Sequence, residues 1–103
     1  MIFKVFHLND DAFRREQMRL GDNAQPAAWP EDFDLVAVVM AAGLNQVYRD
    51  TNHIDRDWTE NASILRRNPA VSPRSTSVGD VILNDKDGTL HRVARVGFET
   101  FDA

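Results

Sequence analysis

At 103 residues, with a net charge of −4 and apolar and charged shares of 43% and 27%, the chain has room for one folded domain and no second core. Those values exclude wholesale disorder and fibrous repeats, and the acidic balance disfavours coating nucleic acid through bulk phosphate attraction. The absence of cysteine removes disulfides, thiolate nucleophiles and cysteine metal sites together.

Ile2, Phe3, Val5 and Phe6 form a β-prone apolar run of the kind a strand buried on both faces uses, so residues 2–8 are expected as the first strand. Asn9 then caps a helix with Asp10 and Asp11 in its first turn, where the helix dipole favours acids, and Phe13, Met18 and Leu20 as its apolar contacts; Gly21 ends it. Residues 22–32 break regular structure with Asn23, Pro26 and Pro30, and Trp29 is their aromatic anchor. Phe33–Met40 is the strongest strand, a β-branched run too short for a typical helix, and is expected inside the sheet.

In residues 41–51, Leu44, Val47 and Tyr48 share one helical face. From Asn52 to Pro73 the pattern dissolves into polar residues with scattered Ile54, Trp58, Ile64, Leu65 and Val71; so long an irregular stretch is often a functional loop. Val78–Asn84 and Thr89–Val96 form a hairpin around Asp85-Lys86-Asp87-Gly88, although neither face of its second arm is cleanly apolar. Phe98 and Phe101 close against the core. The fold class is α+β: a small, mostly antiparallel sheet of about four strands with two helices and a long central loop, in a single domain over 1–103.

The longest apolar run, Leu35–Ala42, is far short of the ~20 residues a membrane span needs, and the first residues lack the basic start and long apolar core of a secretion signal. A cytoplasmic protein with no membrane contact is expected. His7, His53 and His91 fall on different elements, and no metal-ligand spacing joins them; His53-Ile54-Asp55-Arg56-Asp57 is the one local cluster, and loop residues of that kind more often make turn and cap hydrogen bonds. Ser75, Thr76 and Ser77 beside Asp80 lack a nucleophile elbow, so their hydroxyls are expected to satisfy backbone groups where the loop enters a strand. Neither a metal, a cofactor nor catalysis is expected.

The one basic concentration is Arg56, Arg66, Arg67 and Arg74, with Arg49 upstream and Trp58 beside them. It suits a phosphate backbone or an acidic protein surface, with Trp58 as a stacking platform, and competes with simple pairing to Asp50, Asp55, Asp57 and Glu60. The acids Asp10, Asp11, Glu31, Asp32, Asp34, Asp85 and Asp87 raise the opposite possibility of phosphate mimicry, although turns and helix starts use acids anyway.

The order Phe33-Asp34-Leu35-Val36-Ala37, a helix with Leu44 and Tyr48, Asn52-His53-Ile54-Asp55-Arg56, Arg74-Ser75-Thr76-Ser77-Val78-Gly79-Asp80-Val81 and Gly97-Phe98 resembles the YodL-like small domains of plasmids, phages and integrative elements, over roughly residues 33–101. Thr76 stands where that family commonly has a bulky apolar residue and Gly79 where serine is common, so the segment shapes a turn rather than carrying hydroxyl chemistry. The resemblance implies mobile-element context and no catalytic residues. The expected function is binding and inhibition of a bacterial defence protein or ribonucleoprotein complex, anti-CRISPR-like or antirestriction, through Arg56, Trp58, Arg66, Arg67 and Arg74 with Asp85 and Asp87. A nucleic-acid-binding module for plasmid maintenance or DNA processing is the alternative.

Overall fold

In the computed structural model, residues 1–17, 27–52, 57–71 and 74–102 are described. β1 (Ile2–Leu8) alternates strictly: Phe3, Val5 and His7 are buried towards one side, Leu8 is buried and Phe6 half-buried towards the other. A strand apolar on both sides needs cover on both, and β1 obtains it from the middle of the sheet. It pairs with β2 (Phe33–Met40) on one flank and β4 (Val81–Asn84) on the other. Beyond these lie β3 (Ile64–Arg67) outside β2, then β5 (Leu90–Val93) and β6 (Phe98–Phe101) outside β4. The order is β3-β2-β1-β4-β5-β6, antiparallel throughout.

The sheet therefore has six strands rather than about four, and both additions are edges. β3 was concealed within the supposed loop over 52–73. Ile64 packs against the core while Leu65, Arg66 and Arg67 are exposed, so no apolar alternation marks the strand. The same stretch holds a 3-10 turn at Trp58–Glu60, capped by Asp57 Oδ1 accepting from Thr59 N at 3.0 Å. β6 was concealed because the second hairpin arm, expected to reach Val96, stops at Val93. A tight turn with Ala94 N donating to Gly97 O at 3.0 Å and Gly97 at φ 71° sends the chain back along β5.

The helices follow local signals. In α1 (Asp10–Gln17) the Asn9 side chain accepts from Ala12 N at 2.8 Å, as its capping position predicts. The expected end of this helix at Gly21 lies outside the described residues. In α2 (Leu44–Asp50) Val47 is fully buried with Leu44 and Tyr48 packed around it, and Thr51 Oγ1 closes the last turn on Val47 O at 2.8 Å.

Two clusters result. Phe3, Val5, Val39, Ile82 and Val93 pack with α2 and Trp58; Leu8, Phe33, Val81 and Leu90 pack with Ala12 of α1 and the Trp29 segment. Leu90 and Val93 of one strand belong to different clusters, which accounts for the mixed pattern of β5. Trp29 sits 4.9 Å from Phe6 and 5.1 Å from Phe33 between ring centroids, a half-buried aromatic lid. Among the described residues no helix is long and apolar enough to cross a membrane.

Candidate functional site

The basic segment divides into two groups with different fates. Arg74 turns inwards, and both of its terminal nitrogens donate to Asp80, to Oδ2 and Oδ1, at 2.7 Å. Asp80 is fully buried, and it also accepts from Leu8 N at 2.9 Å and from Ser77 N at 2.7 Å. The guanidinium lies 4.0 Å from the Phe13 ring centre and donates to Ser75 O at 3.0 Å. The Asp80 carboxyl group thus ties the end of β1 to the 74–80 turn, and Arg74 extends the tie to Phe13 of α1. The Arg-Ser-Thr-Ser-Val-Gly-Asp run is a structural clasp: Ser77 Oγ donates to Ser75 O at 3.1 Å, and Gly79 at φ 97° makes the bend into β4.

His7 enters this cluster from the far end of the chain. Its Nε2 is 2.9 Å from Thr76 Oγ1 and 3.9 Å from Asp80 Oδ2. Burial pushes its pKa down from 6.5 to about 4; Asp80 pulls it up and Arg74 pushes it further down, so the ring is neutral at pH 7. A hydroxyl hydrogen-bonded to a neutral imidazole has the outline of a nucleophile and base. Nucleophilic chemistry needs access and an oriented ring, however. Thr76 and His7 are 0% and 1% exposed, and His7 Nδ1 has no hydrogen-bond partner among the described residues.

Trp58 and Arg74 are corrections to the expected partner surface. Trp58 is 2% exposed in the first cluster, where its indole N–H donates to Arg74 O at 2.9 Å. Trp58, the first residue of the 3-10 turn, is buried in one cluster with Val47 of α2 and Val5, Val39 and Ile82 of the sheet, and Arg74 spends its charge on Asp80. Arg56 lies outside the described residues, as do His53 and Asp55 of the candidate metal cluster. No group of three or more His, Asp or Glu side chains suited to a metal converges among the described residues.

Arg66 and Arg67 remain at the surface, exposed on β3 together with Leu65, which is 52% exposed. Arg66 has no ion pair among the described residues, whereas Arg67 acts on Asp57, whose pKa is lowered mainly by its hydrogen bonds to Thr59 and to a lesser degree by this guanidinium. β3 stands on the bulged part of β2: Val36 is the extra residue between Leu35 and Ala37 opposite β1, and Asn68 holds the bulge, its N donating to Val36 O and its Nδ2 to Leu35 O, both at 2.8 Å. A groove of about 240 Å³ opens there, lined by Leu35, Val38, Arg66, Arg67, Asn68 and Pro69 among others.

Asp85 and Asp87 are exposed at the β4–β5 turn but already engaged. Asp85 lies 3.4 Å from Lys4 Nζ, and Asp87 Oδ1 accepts from Thr89 N at 3.0 Å and Thr89 Oγ1 at 2.7 Å. Asp32 likewise serves a turn, accepting from Ala28 N at 2.8 Å and pairing with Arg15 at 3.1 Å. Asp32 and Asp87 thus hold turns, while Asp85 pairs with Lys4. Sequence reasoning missed His7 as a partner of the clasp; the available signal was a histidine at an inward position of an alternating apolar strand. It also missed the groove, which depends on a β-bulge that leaves no mark in composition. Comparison of the chain with family models, curated proteins and solved structures finds no match.

Proposed function

We propose that this chain is a non-catalytic binding protein of the YodL-like kind, acting in the bacterial cytoplasm on behalf of a mobile element to inhibit a host defence component. The observation that carries the binding part is the β3 edge, where Leu65, Arg66 and Arg67 stand exposed beside an apolar groove. The hydroxyl–imidazole pair that suggests chemistry, by contrast, is sealed in the core. The defence-inhibitor part is supported by the sequence resemblance over residues 33–101 alone. Arg66 and Arg67 become the centre of the contact among the described members of the expected set, because both are exposed on β3 while Trp58 is buried, Arg74 is clasped to Asp80, Asp85 pairs with Lys4 and Asp87 holds its turn.

The test is affinity capture of the tagged chain from a bacterial host expressing CRISPR and restriction systems, at moderate salt, with and without nuclease. The expected result is a nuclease-resistant defence complex that the wild type retains and Arg66→Glu/Arg67→Glu loses. Recovery of nucleic acid alone, falling steeply with salt, transfers the proposal to a DNA-processing module. Equal retention by the charge-reversed variant removes the β3 edge from the contact.

A further inference from the structure

We propose that the outer edge of β3 takes up an extended, acid-bearing segment of the partner as a further antiparallel strand; this rests on the protein-binding function above and specifies its mode. Among the described residues β3 terminates the sheet and is paired on one side only, with Val38 opposite Arg66 and Ala37 opposite Arg67. Asn68 N donates to Val36 O, which places residue 68, and by antiparallel alternation residue 66, on the β2 side of the ladder. Arg67, between them, turns its own N–H and C=O to the free side. A backbone donor and acceptor are thus open to a new chain at the point where the two guanidinium groups stand.

The side chains state what that chain should carry. Successive residues of a strand project to opposite faces, so Arg66 and Arg67 flank an incoming strand above and below. Carboxylates on the incoming strand, facing each of them, match that arrangement, and lysines oppose it. The groove lined by Leu35, Val38, Asn68 and Pro69 accepts one apolar side chain between them. Two copies of β3 bring their own arginines together, so the edge discriminates against pairing with itself.

The probe is an end-blocked heptapeptide of valine and threonine with two adjacent glutamates at its centre, whose side chains project to opposite faces, titrated into the full-length ¹⁵N-labelled chain. Two controls accompany it: the lysine-for-glutamate peptide, and the glutamate peptide N-methylated at alternate backbone nitrogens. Amide shifts confined to residues 35–38 and 64–69 are expected, and each control should bind about tenfold or more weakly. Arg66→Glu/Arg67→Glu should lose binding to the same degree with an unchanged melting temperature.

Equal binding of the N-methylated peptide overturns strand addition while leaving capture of a defence complex intact, because charge contact alone then suffices. Absence of shifts at about 1 mM peptide, the weak end of specific affinities, overturns it as well. So does self-association in sedimentation that the double substitution abolishes: the occupant is then a second copy, brought in by its Glu99-bearing β6 edge.

Discussion

Asp80 is fully buried, and Arg74, Leu8 N and Ser77 N all donate to its two carboxyl oxygens. A buried pair of this kind adds little against an apolar replacement of both partners, but breaking it on one side strands a charge in the core. Arg74→Met, which leaves the Asp80 carboxyl group buried without its cation, should therefore cost about 3–5 kcal/mol, a large share of the 5–15 kcal/mol typical of a domain. Adding Asp80→Asn should recover part of that loss, which a double-mutant cycle of urea melts measures; strictly additive losses would refute the clasp.

His7 sets a pH dependence: its folded pKa of about 4 lies below 6.5, so between those values the unfolded chain binds more protons and stability falls with falling pH. Stability should drop by about 2 kcal/mol from about pH 7.5 to about pH 5, and His7→Gln should flatten the difference. Asp32, Asp57 and Asp87, each lowered from 3.8 by its hydrogen bonds, titrate beneath that window. At this scale the Ser77 hydroxyl on Ser75 O and the bend at Gly79 were legible in the sequence, because they act on their neighbours, whereas the Thr76 hydroxyl, expected on backbone, meets the His7 ring instead. The destiny of Arg74 was not, since its acid lies across a turn and its histidine neighbour arrives from β1.

Among the elements, β1, β2 and α2 were legible because each carries its own period: alternation in Phe3, Val5 and His7, a β-branched run in Val36–Val39, and a helical spacing in Leu44, Val47 and Tyr48. β3 and β6 carry none. An edge strand needs only one or two inward side chains, here Ile64 in β3 and Phe98 with Phe101 in β6, so its local pattern is that of a loop.

Turn glycines can be ranked physically. Gly79 and Gly88 both hold positive φ, 97° and 73°, but a Cβ at Gly79 meets Leu8 Cδ1 at 3.1 Å while at Gly88 it meets nothing within 4 Å. Gly88→Ala should cost about 1 kcal/mol from backbone strain alone, and Gly79→Ala about 2 kcal/mol or more once the contact is added. Thermal melts of the two variants decide this, and equal losses would show that Leu8 yields freely.

For the whole molecule, six antiparallel strands with apolar residues on both faces place β1 and β4 at the centre and leave β3 and β6 as the two free borders. The borders differ in charge: Arg66 and Arg67 on one, Glu99 on the other. Reversing the first border with Arg66→Glu/Arg67→Glu should change stability by no more than about 0.5 kcal/mol, as for exposed substitutions elsewhere, because neither side chain packs in a core. A melting temperature lowered by many degrees would make those arginines structural.

The sequence by itself determined an α+β domain, its first two strands, its second helix and the glycine-bearing β4–β5 turn, since each follows from side chains a few residues apart. Only the tertiary structure decided which strands are edges, that Trp58 is buried and Arg74 is clasped to the buried Asp80, that His7 meets Thr76 from 69 residues away, and that Arg66 and Arg67 stay exposed on β3. Those outcomes rest on contacts between distant segments, and a side chain's charge or aromaticity does not reveal whether a distant residue will neutralise it or a sheet will cover it.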